Sequence, residues 1–218
     1  TSSISIVSSI TIIILISKSR KKFTTVLNRL LLGLCISDIL FSTTQGLVSL
    51  PMPSVTENAW MAFGNTTTCD IQGFVNCCGA ILIPSYNAGI CIVSLLKIKY
   101  NNRIDLEKVE PYFHIIPISI SFAASLYTVM QGYMNPTIGY CFLSDKPRDC
   151  SKHNVDAPTC ERGDGVYQDW MTIFIFTLSF VLYPSLIIGS MTHLYITVKK
   201  QEERRRRRNE KECASGSA

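Results

Sequence analysis

The chain has 218 residues, of which 47% are hydrophobic and only 17% charged, with a formal net charge of +5. Its charges are gathered into a few short segments, separated by uncharged runs that reach the ~20 residues needed to cross a ~30 Å hydrocarbon layer. That pattern excludes an ordinary water-soluble domain and points to an all-α, multi-pass transmembrane helix bundle.

Residue 1 is Thr and no secretory signal or transit peptide is visible, so the chain is expected to begin inside a longer one. The first apolar run, residues 1–17, is about 25 Å long at 1.5 Å per residue, slightly short of a full crossing. The second, residues 30–50, follows the basic SKSRKK segment and holds one carboxylate, Asp38. The third, residues 71–96, is uncharged and contains Pro84; the fourth covers 113–133; the fifth covers 171–198 with Pro184 near its middle. A polar tail, 199–218, completes a single transmembrane domain, and no internal repeat is present.

Lys and Arg accumulate in cytoplasmic loops. Of the 21 basic residues, 17 fall in the segments around 18–29, 97–108 and 199–211, and only Lys146, Arg148, Lys152 and Arg162 fall on the other side. The chain is therefore expected to enter from outside, at the plasma membrane, with 51–70 and 134–170 extracellular. The sequon Asn65-Thr66-Thr67 then lies where glycosylation occurs. Of nine cysteines, Cys69, Cys141, Cys150 and Cys160 fall in these oxidising segments, an even number suited to two disulfides with three pairings open. Cys35, Cys77, Cys78 and Cys91 lie in spans and are read as packing residues.

Asp38 sits about 12 Å into its span, where a bare carboxylate costs roughly 2.5 to 3.5 kcal/mol. Ser37, Ser42, Ser85 and Asn87 are the candidate partners. Pro84 and Pro184 each remove a backbone hydrogen bond, which lipid tolerates only where a neighbour satisfies the freed carbonyl. Such kinks border ligand cavities or simply bend a packed helix. The five arginines at 204–208 extend the last helix, where each basic residue near anionic membrane lipids is worth about 1 kcal/mol. Only three histidines exist. None has metal or catalytic spacing, and no nucleophile triad, GxGxxG or Walker loop occurs, so neither an enzyme nor a nucleic-acid binder is expected.

Several motifs are similar to one family. Trp60, Phe63 and Gly64 shortly before Cys69, Leu34 and Asp38 in NRLLLGLCISDILFS, and Pro184 followed by Tyr195 resemble the first five helices of a rhodopsin-like G-protein-coupled receptor, with features of the cyclic-AMP-receptor-like branch. The resemblance implies five spans of a seven-helix architecture, an extracellular ligand and a cytoplasmic heterotrimeric G protein. It implies that the Trp60 loop docks onto the helix bundle, that Asp38 holds a sodium ion, and that Lys99, Tyr100, Tyr195 and Arg204 lie at the coupling face. Cys69 would pair with Cys141 as in the cyclic-AMP-receptor-like branch, leaving Cys150 with Cys160, or with Cys160 as in commoner receptors. The chain departs from the pattern where Ile98-Lys99-Tyr100 replaces acid-Arg-Tyr, since lysine lacks the bidentate guanidinium. It shows no sixth or seventh span, so a fragment or truncated non-functional product is expected. A non-signalling scaffold of the tetraspan type is the alternative, on the strength of Cys77-Cys78-Gly79.

The charge asymmetry yields a direct expectation for topology. A C-terminal epitope tag should be unreachable by antibody on intact cells and reachable after permeabilisation; labelling of intact cells would reverse the orientation.

Overall fold

The computed structural model describes residues 2–20, 22–54, 56, 60–99, 105–137, 139–147, 150 and 158–215. Tyr100 lies outside them, as do four of the basic residues counted above, Lys21, Arg103, Arg148 and Lys152. Six helices and one small hairpin follow in order: α1 (Ser2–Lys18), α2 (Val26–Gly46), α3 (Thr66–Lys99), α4 (Leu106–Met130), β1 (Met134–Pro136), β2 (Cys141–Leu143), α5 (Gly165–Phe176) and α6 (Tyr183–Ser215). A π-helical segment, Thr177–Leu182, joins α5 to α6 into one long rod. Among the described residues, four helices are long and apolar enough to cross a membrane: Val26–Gly46, Thr66–Lys99, Leu106–Met130 and Gln168–Arg207. Ser2–Lys18 is apolar but, at 17 residues, shorter.

The helices begin and end at local signals rather than at the edges of the apolar runs. The Thr25 side chain accepts from the Asn28 N–H and opens α2. Asn65 opens α3: its Oδ1 accepts from Thr68 N at 2.9 Å while Thr68 Oγ1 accepts from Asn65 N at 2.8 Å, a reciprocal capping box. The sequon asparagine is thus also a helix cap. α4 ends in a Schellman motif, with Gly132 at φ +69°, Gly132 N–H donating to Val129 O and Tyr133 N–H to Thr128 O. The Tyr133 ring meets that of Tyr127, the hydrophobic contact that accompanies such caps. Hence α3 starts at Thr66 instead of 71 and α4 ends at Met130 instead of 133; α2 likewise ends at Gly46 rather than 50, and α4 starts at Leu106 rather than 113. Hydropathy marks the stretch that lies in hydrocarbon, whereas caps mark where the backbone ladder stops. The last helix also continues past 198 to Ser215, so the expected polar tail is largely helical.

α3 is the central element and packs against α2, α4 and the α5–α6 rod. Cys77 and Ile81 of α3 share one buried cluster with Ala124, Tyr133, Met134, Leu143 and Ile175 near one end; Tyr86 and Val93 share another with Val26 and Leu30 near the other. We call the end carrying the hairpin and the 47–65 connection the outer end. The hairpin is short, pairing Met134 with Leu143 and Pro136 with Cys141 antiparallel. It lies against α3 at Gly73, where a Cβ would meet Met134 Sδ at 2.6 Å, so a larger residue there would displace the Met134 side chain.

Pro84 lies inside α3 and cannot donate to the carbonyl of Ala80, four residues earlier. Ser179 fills that gap: its Oγ donates to Ala80 O at 2.6 Å. Ser179 belongs to the π-helical segment, which ends two residues before Pro184, and it is buried. In a regular helix the Pro184 ring would press on the carbonyl four residues before it. The widened turn sits at that place and turns Ser179 toward α3.

Ser179 thus compensates Pro84 across two helices, and a double-mutant cycle of the two measures it. Ser179→Ala should lower the stability of the detergent-solubilised chain by about 1 kcal/mol, because Ala80 O loses its donor in an apolar setting. In a Pro84→Ala background the restored N–H supplies the donor, so the same substitution should cost a few tenths at most. Equal losses in both backgrounds would refute the pairing.

Candidate functional site

Two polar assemblies stand out in this apolar bundle, one at each end of α3. At the outer end, Cys69, Gln72 and Asn76 follow helical spacing and occupy one face. All three are fully buried or nearly so. Cys69 is joined to Cys141 of β2, with a Cα–Cα distance of 5.3 Å, and Cys150 to Cys160 at 5.0 Å. Gln72 Nε2 donates to Thr44 O and Val48 O at 3.0 and 2.9 Å, and its Oε1 accepts from Cys141 N at 2.9 Å. Asn76 Oδ1 accepts from Thr44 Oγ1 at 2.6 Å, and its Nδ2 donates to Cys141 O at 3.3 Å. Both backbone groups of Cys141 thus end on α3 side chains, and the same two side chains hold the last turn of α2.

Above this cradle, Arg162 Nη2 meets Asp70 Oδ1 at 2.7 Å, and Lys146 Nζ meets Glu161 Oε2 at 3.5 Å. Backbone bonds between Lys146 and Glu161 and Arg162 bring the two pairs together. Lys146, Glu161 and Arg162 border a cavity of about 530 Å³ that is also lined by Thr66, Cys69, Asn135 and Asp145. Its volume is in the range of small-molecule sites.

Asp38 lies between α1 and α2. Its Oδ2 accepts from Ser5 Oγ and Ser9 Oγ, both at 2.7 Å, and Ser42 Oγ is 3.5 Å from Oδ1. Ser42 is the one expected partner that the structure brings near. Ser37, Ser85 and Asn87 do not reach Asp38: they donate to Gly33 O, Ile81 O and Ile83 O of their own helices. The reason is rotational. Asp38 is on the α2 face that meets α1, and the two α1 hydroxyls, one turn apart, converge on one carboxylate oxygen.

At the inner end, Arg29 of α2 grips Glu110 of α4 through both Nε and Nη2, a bidentate pair. His114 Nε2 is 3.8 Å from Glu110, and its Nδ1 is 3.2 Å from the Tyr86 hydroxyl of α3. Three helices are tied by this chain of polar groups. Nearby, Gln201 Nε2 of α6 reaches Ile98 O of α3 at 3.5 Å, so the basic extension of α6 stands beside the Lys99 end of α3. Tyr195 and Arg204 are exposed on α6. Trp60 and Phe63 are 82% and 75% exposed rather than docked onto the bundle; that segment is held instead by Met52 and Ala62 packed on the Cys69–Cys141 pair and by bonds to the loop backbone.

Arg29, Glu110, Gln72, Asn76 and Ser179 were not among the residues singled out from the sequence. Arg29 and Glu110 lie just beyond the apolar runs, where charges look like solvated ends. Gln72 and Asn76, four apart in an uncharged span, carry the legible signal: two amides at helical spacing in lipid need partners. In the Cys77-Cys78-Gly79 stretch, Cys77 is buried, Cys78 Sγ contacts Ser125 Oγ at 3.2 Å, and Gly79 faces Phe41. These are helix-packing contacts.

No protein-family model matches the chain, and no curated protein matches it.

The inner pair is asymmetric, since Glu110 is buried while the Arg29 side chain is one-third exposed and also donates to Phe23 O at 3.0 Å. Arg29→Met strands a buried carboxylate and should cost about 2 to 3 kcal/mol; Glu110→Gln leaves a guanidinium with other acceptors and should cost about 1. Thermal unfolding in detergent compares them. The reverse order would contradict the burial argument.

Proposed function

We propose that this chain is part of a seven-helix receptor of the G-protein-coupled type, receiving a ligand at its outer end and engaging a G protein at its inner end. The observation that carries the reading is the disulfide from Cys69, at the start of the central helix, to Cys141 on the hairpin that follows α4. That arrangement is the one implied by the Trp60, Phe63, Gly64 and Cys69 motif. It closes the outer end with a pinned hairpin and leaves a cavity bordered by paired charges, a place for an extracellular ligand. The inner end offers Lys99 and the exposed arginines of α6 side by side, a basic surface for an acidic partner.

Binding at the outer end changes the inner end only if it favours one helix arrangement over another. Two features of the bundle lend themselves to this. The Ser179–Ala80 contact couples the last rod to α3 beside two prolines, and the Arg29–Glu110–His114–Tyr86 chain couples α2, α3 and α4 at the inner end. A sodium ion at Asp38 would meet the α1 serines rather than α3 groups.

Nucleotide exchange on purified heterotrimeric G proteins, measured in bilayers with the seven-helix receptor of which this chain would be part, tests the proposal. That receptor should accelerate exchange on at least one G-protein class, and Lys99→Ala or Arg204→Ala should reduce the acceleration severalfold. Absence of acceleration across all classes would remove the transducer reading.

A further inference from the structure

The described residues of the 47–65 connection, 47–54, 56 and 60–65, are tied by several hydrogen bonds. Phe63 N–H donates to Leu50 O at 3.3 Å and Gly64 N–H to Met52 O at 2.8 Å; Thr68 Oγ1 donates to Pro51 O at 2.7 Å. Ser49 Oγ donates to Trp60 O, which sets the Trp60 backbone beside Ser49, only three residues past the end of α2. Gly64 is required, because a Cβ there would lie 2.1 Å from Pro51 O. Yet this well-tied loop turns its largest apolar side chains outward. Trp60, Met61 and Phe63 are 82%, 46% and 75% exposed. Met61 and Val48 hold positive φ values of 60° and 48°, a left-handed backbone that non-glycine residues, β-branched valine above all, adopt only under strain.

We propose that Trp60, Met61 and Phe63 are an interfacial anchor that inserts into the headgroup and upper acyl region of the bilayer, a role that rests on the membrane-spanning reading of the helices. Depth is the first argument. α2 has 21 residues, so it is about 31 Å long and matches the hydrocarbon thickness of ~30 Å. Trp60, held one turn beyond its end, falls in the boundary layer where tryptophan prefers to sit, ring in the apolar zone and N–H toward water. Continuity is the second. Ile36 and Leu40 on the exposed side of α2 lead through Leu47, Val48 and Leu50 to the three loop residues, all exposed. Charge is the third: the 47–65 connection holds no Lys or Arg and a single carboxylate, Glu57. The chain's other tryptophan, Trp170, is likewise exposed near the outer start of the last rod.

Two single-tryptophan chains test this in phosphatidylcholine bilayers, Trp170→Phe leaving Trp60 and Trp60→Phe leaving Trp170. The probes are lipids brominated near the headgroup, lipids brominated near the chain end, and aqueous acrylamide. Trp60 should lose most of its emission to the shallow bromines, little to the deep ones and little to acrylamide. Quenching of Trp170 but not Trp60 by brominated lipid, with Trp60 open to acrylamide, overturns the anchor and leaves the membrane reading standing. Trp60 shielded from every quencher points to a protein partner or a second copy and overturns it too. If neither tryptophan responds to brominated lipid, the membrane reading itself falls.

Discussion

A polar backbone crossing an apolar medium must satisfy its own hydrogen bonds, and most of this structure is arranged around the few places where α3 does not. Cys141 comes to α3 from a strand too short to bond its own backbone fully. Gln72 and Asn76 supply the missing donor and acceptor. With Cys69 one turn away, covalent and hydrogen-bonded attachments occupy a single face, so hairpin position, α2 end and α3 rotation are set together. An unpartnered amide there would cost several kcal/mol in lipid, which is why the cradle is fully paired.

The same rule explains the middle of the bundle. Pro84 leaves Ala80 O without its helical donor, and the donor comes from another helix instead. For Ser179 to reach it, the last rod must be in close register with α3. A local backbone defect in one helix thus becomes a specification of how two helices pack, in a medium where apolar side chains alone give little preference between rotations. Asp38 does the same for α1 and α2, taking two serine hydroxyls on one oxygen. The Arg29–Glu110 pair does it for α2 and α4.

The outer loops show how rigidity and exposure combine. The hairpin is pinned and paired, while the 47–65 loop is pinned yet displays an aromatic surface. Burial of Trp60 and Phe63 against the bundle would be the simplest use of two large apolar rings. Their outward placement, with strained residues beside them, is the feature of this molecule that packing within the chain does not account for.

Apolar run length was enough, by itself, to place the helices roughly, because a bilayer imposes a minimum length on anything that crosses it. Cysteine placement likewise picked out the four that are bridged, though it left their pairing open. Helix ends did not follow from the apolar runs: the caps that set two of them, at Asn65 with Thr68 and at Gly132, are polar and glycine signals that run length passes over. What the tertiary structure alone decided was which polar groups meet. Asp38 finds Ser5 and Ser9 rather than Ser85 and Asn87, and Trp60 faces away from the bundle. These helices are apolar on nearly every side, so their sequences carry no amphipathic stripe to announce a rotation. Rotation and register were settled instead by individual hydroxyls, amides and one carboxylate finding partners across helix boundaries, a matter of three-dimensional distance that spacing along the chain does not encode.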